Sequence, residues 1–259
     1  MARDGQGRQM VGRGRERQLR GLRRAAPLQQ RSRRRPHVLP TLPRRICERR
    51  RKRDQHHPQA ALPLLIRSTI WAADLAPSGP PPLFPVEEVD RSRTHVIAAA
   101  MGEEGDLAAT RLARGCRCYV VWIEGAVAGY GWLSTGPEWI GELQLEIKPR
   151  EREGYIWNCV TLAEHRRRGV FRSLVAGITI AARRHGDRRM WIGSVAIPPE
   201  KALGPLGFEP ALRFDSVTLV GMHVMRVTRA SNRRLATDAS SVLAVRPGLL
   251  IRGSHRRRH

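Results

Sequence analysis

Between Tyr155 and Arg184 the sequence runs from an apolar stretch through a basic turn into a helix, and the turn is where chemistry would concentrate. Arg166, Arg167 and Arg168 stand directly before Gly169, and Val170, Phe171 and Arg172 open the helix. A helix start leaves backbone N–H groups without intrahelical partners and carries the positive end of the macrodipole. A glycine there lets a ligand approach the backbone, because it has no Cβ. Three arginines add charge around the same opening. This is an anion site, and a pyrophosphate is its natural occupant. It is neither a Walker loop, which needs G-x-x-x-x-G-K-[ST], nor a dinucleotide fingerprint, whose G-x-G-x-x-G glycines are absent.

The elements that must position this turn follow from hydrophobic periodicity. Leu65 to Trp71 reads as a first strand, and Pro77 to Pro85 as a Pro/Gly loop. Apolar residues at helical spacing predict a helix over Val86 to Met101, and a second runs from Asp106 to Ala113. Cys118 to Ile123 and Val127 to Leu133 form a hairpin around Glu124-Gly125. Glu142 to Ile147 alternates with period two, which predicts a half-buried strand. Tyr155 to Leu162 is largely apolar and reads as a central strand. The helix after Gly169 presents Leu174, Val175, Ile178, Ala181 and Ala182 on one face. Arg189 to Ile197 is a strand, Glu200 to Leu203 a short helix, and Ser216 to Val227 a final strand region. After Arg229 no pattern persists.

Residues 166–171, Arg-Arg-Arg-Gly-Val-Phe, resemble the [Q/R]-x-x-G-x-[G/A] signature of the GNAT acetyltransferase superfamily, with Phe171 where the family has a small residue. Glu124-Gly125 followed by Val127 to Tyr130 resembles the family's dG-x-vvGy hairpin, Thr161 to Arg166 its segment leading into the signature, and Leu206-Gly207-Phe208 its late l-G-F. The resemblance implies a mixed α/β fold, with a central splayed β-sheet flanked by helices, over residues 64–228. It implies acetyl-CoA as cosubstrate and no metal. The backbone of Cys159, Val160 and Thr161 would pair with the pantetheine arm, and the amides from Arg166 through Arg167, Arg168, Gly169, Val170 and Phe171 to Arg172 would hold the pyrophosphate. The Val160 amide would polarise the thioester carbonyl. An amine acceptor would be acetylated by direct attack, which requires a proton acceptor near the splay. The candidates are Glu146, acting through water, and Tyr155; Glu142 and Glu146 also fit a solvated strand face. Leu203 stands where the family often has a Tyr, and Ala196 to Pro199 lacks the family's Asn. Trp132 and Trp139 are candidates for an acceptor wall or for hairpin packing.

Charge divides the chain. The formal net charge is +24, yet Ile66 to Val227 holds 20 Lys+Arg against 18 Asp+Glu. The excess lies in residues 1–60, an Arg-rich segment expected as a disordered tail or a spurious N-terminal extension, and in 229–259, expected as a basic disordered C-terminal tail. Such tails support a second reading, a basic nucleic-acid-binding protein whose middle domain is a scaffold, or weak nonspecific nucleic acid binding beside the enzyme. Arg outnumbers Lys so heavily, with Lys only at positions 52, 148 and 201, that GC-rich coding accounts for the bias more simply. Four cysteines in no zinc or disulfide pattern, no apolar leader and no membrane-length apolar run point to the cytoplasm and away from a membrane. Acceptor and oligomeric state are left open.

Overall fold

The computed structural model describes residues 65–76, 79–195, 200–219 and 222–253, all within one compact unit. The expectations for residues 1–60, 196–199 and 254–259 lie outside them. In chain order the elements are β1 (Ile66–Asp74), β2 (Val86–Val89), α1 (Thr94–Met101), α2 (Leu107–Ala113), β3 (Arg117–Ile123) and β4 (Ala126–Ser134). Then come β5 (Glu138–Ile140), β6 (Leu145–Ile147), β7 (Glu153–Thr161), α3 (Val170–Arg184), β8 (Arg189–Val195) and α4 (Glu200–Leu203). The described chain closes with β9 (Glu209–Leu219), β10 (Met222–Arg229), α5 (Arg233–Val242) and β11 (Gly248–Gly253).

Nine strands form one sheet in the order β11-β10-β9-β1-β8-β7-β4-β3-β2, and β5 and β6 form a separate hairpin. The mixed α/β architecture with helices on the sheet is the expected one. The β7–β8 pair is parallel, and the other paired strands described are antiparallel. Side chains alternate across β7 and β8, and this sorts the core into two layers. Ile156 and Ile192 face α3 together with Val170, Leu174 and Ile178. Tyr155 and Trp191 face the opposite layer, with Leu143, Leu145 and the apolar side of α5. Trp132 belongs to a third cluster under α1 and α2, and Trp157 packs against both clusters on that side. Among the described residues no helix is long and apolar enough to cross a membrane.

Four expectations are corrected. The helix predicted over Val86 to Met101 is a strand and then a shorter helix. Val86 to Val89 completes the ladder on β3, and Asp90 ends it by accepting from the Ser92 and Arg93 amides at 2.9 and 3.3 Å. An Asp in that position starts a helical turn rather than continuing one. The strand predicted over Glu142 to Ile147 is confined to Leu145–Ile147. Its alternation holds, with Leu143, Leu145 and Ile147 buried, but a turn fills 141–144, where Gln144 has φ 50°. The final strand region is two strands, β9 and β10. The C-terminal tail expected over 229–259 is folded from 229 to 253: α5, capped by Asn232 through the Leu235 amide, buries Leu235, Ala236, Ala239 and Val242, and β11 pairs with β10. Small Ala residues within an Arg-rich stretch carry this helix period weakly, yet they suffice once a sheet face is there to cover.

Candidate active site

β7 and β8 pair in parallel register from Glu153↔Arg189 to Ile156↔Ile192, and no further. Beyond that point the strands part, leaving a cleft of about 740 Å³. On the β7 side Ile156 to Thr161 line it; on the β8 side Ile192 to Val195; Ala202, Arg166 and Phe171 close its ends. A gap inside a sheet leaves backbone N–H and C=O groups unpaired along both edges.

The register decides which groups those are. The Leu162 amide bonds to the Ala128 carbonyl at 3.0 Å, and Val160 is paired with Tyr130 two residues back. In an antiparallel ladder the N–H and C=O of alternate residues point to the same side. Val160 therefore turns its amide and carbonyl toward β4. A Cβ built on Gly129 would lie 2.6 Å from the Val160 oxygen, which agrees. Thr161 turns its backbone groups the other way, into the gap. The role expected for the Val160 amide is thus unavailable to it. Between Trp157 and Val160 an extra residue bulges β7 opposite Gly131, with Asn158 at φ 44°, a left-handed value that Asn tolerates better than most residues.

After β7 the chain makes a single 3-10 turn, Ala163–His165, and reaches the basic corner. Arg167 (φ 63°) and Gly169 (φ 85°) are both left-handed, and Gly169 is the N-cap of α3 without a side-chain cap. The first helical bond runs from Ser173 N–H to Gly169 C=O at 3.0 Å. The Val170, Phe171 and Arg172 amides precede it and have no intrahelical acceptor. Left-handed residues curl successive amides toward one side, the geometry of an anion-binding nest. Of the residues expected to bind cofactor, Cys159, Val160, Thr161, Arg166 and Phe171 line the cleft. Arg167, Arg168, Gly169 and Arg172 form the corner beside it, with Arg168 against His165 at 3.3 Å. The Val170 side chain is buried in the core, so only its backbone is offered. Burial pushes the Cys159 thiol up to about 12, so it is an inert wall rather than a nucleophile.

The proton-transfer candidates separate. Glu146 sits on β6, half exposed, 3.1 Å from Lys148, and lies outside the residues lining the cleft. No carboxylate is among those residues. Tyr155 is also outside the lining residues and is buried on β7, with its hydroxyl 3.1 Å from where a Cβ on Gly193, which lines the cleft, would lie. Burial, and then the charge of Glu142, holds its pKa above the ordinary phenol value, so it is protonated at neutral pH. Leu203 is fully buried. Trp132 is core, not wall, with its ring 6.0 Å from that of Trp157. Sequence reasoning missed the β8 side, Gly193 and Ser194, because nothing in an apolar strand marks where its partner leaves it. It also missed Glu104 and Arg111, which meet Asn158 beside the bulge.

Residues 84–203 match the acetyltransferase (GNAT) family. No curated protein matches. Among solved structures the chain is similar to a GNAT-family acetyltransferase from Novosphingobium aromaticivorans, at 15% identity over 65% of this chain and 68% of that one, with TM-score 0.40. It is also similar to a GCN5-related N-acetyltransferase from Sphaerobacter thermophilus, at 16% identity over 64% of this chain and 53% of that one, with TM-score 0.45. A ribosomal-protein-alanine N-acetyltransferase from Brucella melitensis matches at 14% identity over 45% of this chain and 83% of that one, with TM-score 0.35. The chain thus spans about half of the Sphaerobacter protein it matches. The splayed parallel pair and the uncapped helix after it both lie within residues 84–203, the part of the chain that matches the GNAT acetyltransferase family.

Proposed function

We propose that this protein transfers the acetyl group of acetyl-CoA to a primary amine. The observation that carries this reading is the opening of β7 from β8 beside the uncapped start of α3. The corner suits a diphosphate: backbone amides and arginines meet it where no side chain caps the helix. The gap suits the pantetheine arm, which would pair with the free edge of β7 through the Thr161 amide and carbonyl. The thioester would then lie near the bulge, where the amine attacks its carbonyl carbon. A tetrahedral oxyanion forms, and donors on the strand edge stabilise it. The C–S bond breaks, and the protonated Tyr155 hydroxyl beside Gly193 is the group best suited to return a proton to the sulfur.

Cys116, Cys118 and Cys159 are all free thiols, which supports a reducing compartment such as the cytoplasm. Isothermal titration with acetyl-CoA, followed by a thiol-release assay over diverse amines, tests the reading. Micromolar binding and amine-dependent CoA release are expected. Absence of binding at millimolar acetyl-CoA rejects it.

A further inference from the structure

Among the described residues that line the cleft there is no carboxylate, but one is tied to its wall. Asn158, the bulged residue, lines the cleft, and its carboxamide nitrogen lies 3.4 Å from Glu104 Oε2. Turned by 180°, the same carboxamide puts its oxygen 2.7 Å from Arg111 Nη1, which suits a guanidinium better. In either orientation Asn158 touches a single ion pair, Arg111 Nη2 to Glu104 Oε2 at 3.1 Å.

The two partners differ in freedom. Arg111, on α2, is only 11% exposed, and its guanidinium carbon lies 4.8 Å from the Trp157 ring centre and 5.4 Å from that of Trp132. Cation–π contacts and the Asn158 contact hold it against the bulge. Glu104 sits in the single turn between α1 and α2 and is 58% exposed. One carboxylate oxygen is tethered to Arg111, and the group as a whole is open to solvent. Trp157 and the α1–α2 turn lie on the sheet face opposite α3, so a molecule reaching the bulge from here comes from the side away from the pyrophosphate corner.

We infer that Glu104, tethered by Arg111 beside Asn158, receives the acceptor's ammonium and takes its proton. This rests on the acetyl-transfer reading above. The ammonium gives one proton to the Glu104 carboxylate, which releases it to solvent. The freed lone pair forms the C–N bond at the thioester carbon, the C–S bond breaks, and the sulfur leaves with the bonding electrons. The second proton lost by nitrogen balances the thiol that CoA becomes. Arg111 is a positioning residue. The acceptor class that fits is a cationic primary amine, because a carboxylate at the mouth attracts it before it reacts.

The test compares wild type with Glu104→Gln, using acetyl-CoA and five probes: histamine, tyramine, spermidine, glucosamine and the dipeptide Ala-Ala. On any probe that wild type acetylates, E104Q is expected to lose kcat by about 100-fold, within the range for a lost general base. Its Kd for acetyl-CoA should stay within about twofold, far below a tenfold, 1.4 kcal/mol change. The deficit should also shrink as pH rises toward the amine's own pKa, since less amine then needs deprotonating. The groups facing Glu104 are Arg111 from α2, Asn158 from β7 and Tyr130 from β4, and burial, with Glu104's charge, holds the Tyr130 hydroxyl above its ordinary pKa. A purely structural role would give a deficit independent of pH. E104Q retaining more than half the wild-type kcat overturns the assignment, as does a pH-independent deficit or a wild type that binds acetyl-CoA and acetylates none of the probes. A wild type that fails to bind acetyl-CoA overturns the donor reading instead.

Discussion

β7 and β8 are fastened at one end and open at the other, and the two ends are built from opposite materials. At the start of both strands Arg189 is 9% exposed and reaches Asp74 at 2.6 Å, Asp238 at 2.7 Å and Glu153 at 3.7 Å. Glu153 also accepts from Trp191 Nε1 at 2.8 Å, and Asp238 pairs with Arg150 at 3.0 Å. One guanidinium thus ties β1, β7, β8 and α5 together. At the other end the ladder stops after Ile156↔Ile192, the chain bulges at Asn158, and left-handed residues precede an uncapped helix. Burial at the first end is matched by partners; at the second, polar backbone is left for a ligand. A sheet can stay open at one end because it is held shut at the other.

The largest effect should come from cutting the fastening. In Arg189→Ala the carboxylates of Glu153 and Asp238 lose their buried cation, and breaking a buried pair from one side costs about 3–5 kcal/mol. In a domain of this size that is a fall in Tm of roughly 6–20 °C by differential scanning fluorimetry. Arg189→Met fills the space but leaves the same carboxylates unpaired, so it should recover little. Full recovery with Met would mean that packing of the side chain stem, and not its charge, holds the strands.

At the open end the expected loss is in binding. Gly169→Glu forces a side chain into a left-handed position (φ 85°), where its Cβ would lie 3.0 Å from Leu83 Cδ1, and sets a carboxylate among the free amides. Acetyl-CoA affinity should fall about 100-fold, or 2.7 kcal/mol, while Tm moves far less than in Arg189→Ala. An unchanged Kd in isothermal titration would place the diphosphate elsewhere.

The two ends were also unequally legible in the sequence. The basic corner announces itself, because three arginines, a glycine and a following amphipathic run sit within a few residues. The hairpin of β3 and β4 was equally local. The fastening was invisible: Asp74, Glu153, Arg189 and Asp238 come from four distant segments, and each alone reads as an ordinary surface charge. α5 was missed for a related reason. Arg233 and Arg234 dominate its composition, while Leu235, Ala239 and Val242 bury against strands that only the folded sheet assembles. The Glu104–Arg111–Asn158 contact joins the α1–α2 turn to a bulge, and no periodicity predicts a bulge. Glu146 failed as a cleft residue because strand alternation says which face a residue takes but not which sheet it joins.

The smallest effect expected is a change in acid sensitivity at the fastened end. Burial works to raise the Asp238 pKa, but hydrogen bonds from Arg189 and Arg150 outweigh it, so the carboxyl lies below its ordinary value. A depressed carboxylate pKa means that the unfolded chain takes up the proton first. The stability it contributes is therefore complete above the ordinary Asp value of about 3.9 and drains away as pH falls through the lower folded value. Asp238→Asn removes that contribution at every pH. At pH 6 the variant should melt below wild type, and between pH 4 and pH 2 the gap should close, because wild type loses what the variant already lacks. A gap that stays constant down to pH 2 would mean that Asp238 acts there through its shape and hydrogen bonds alone, and that Glu153 and Asp74 suffice to keep Arg189 paired.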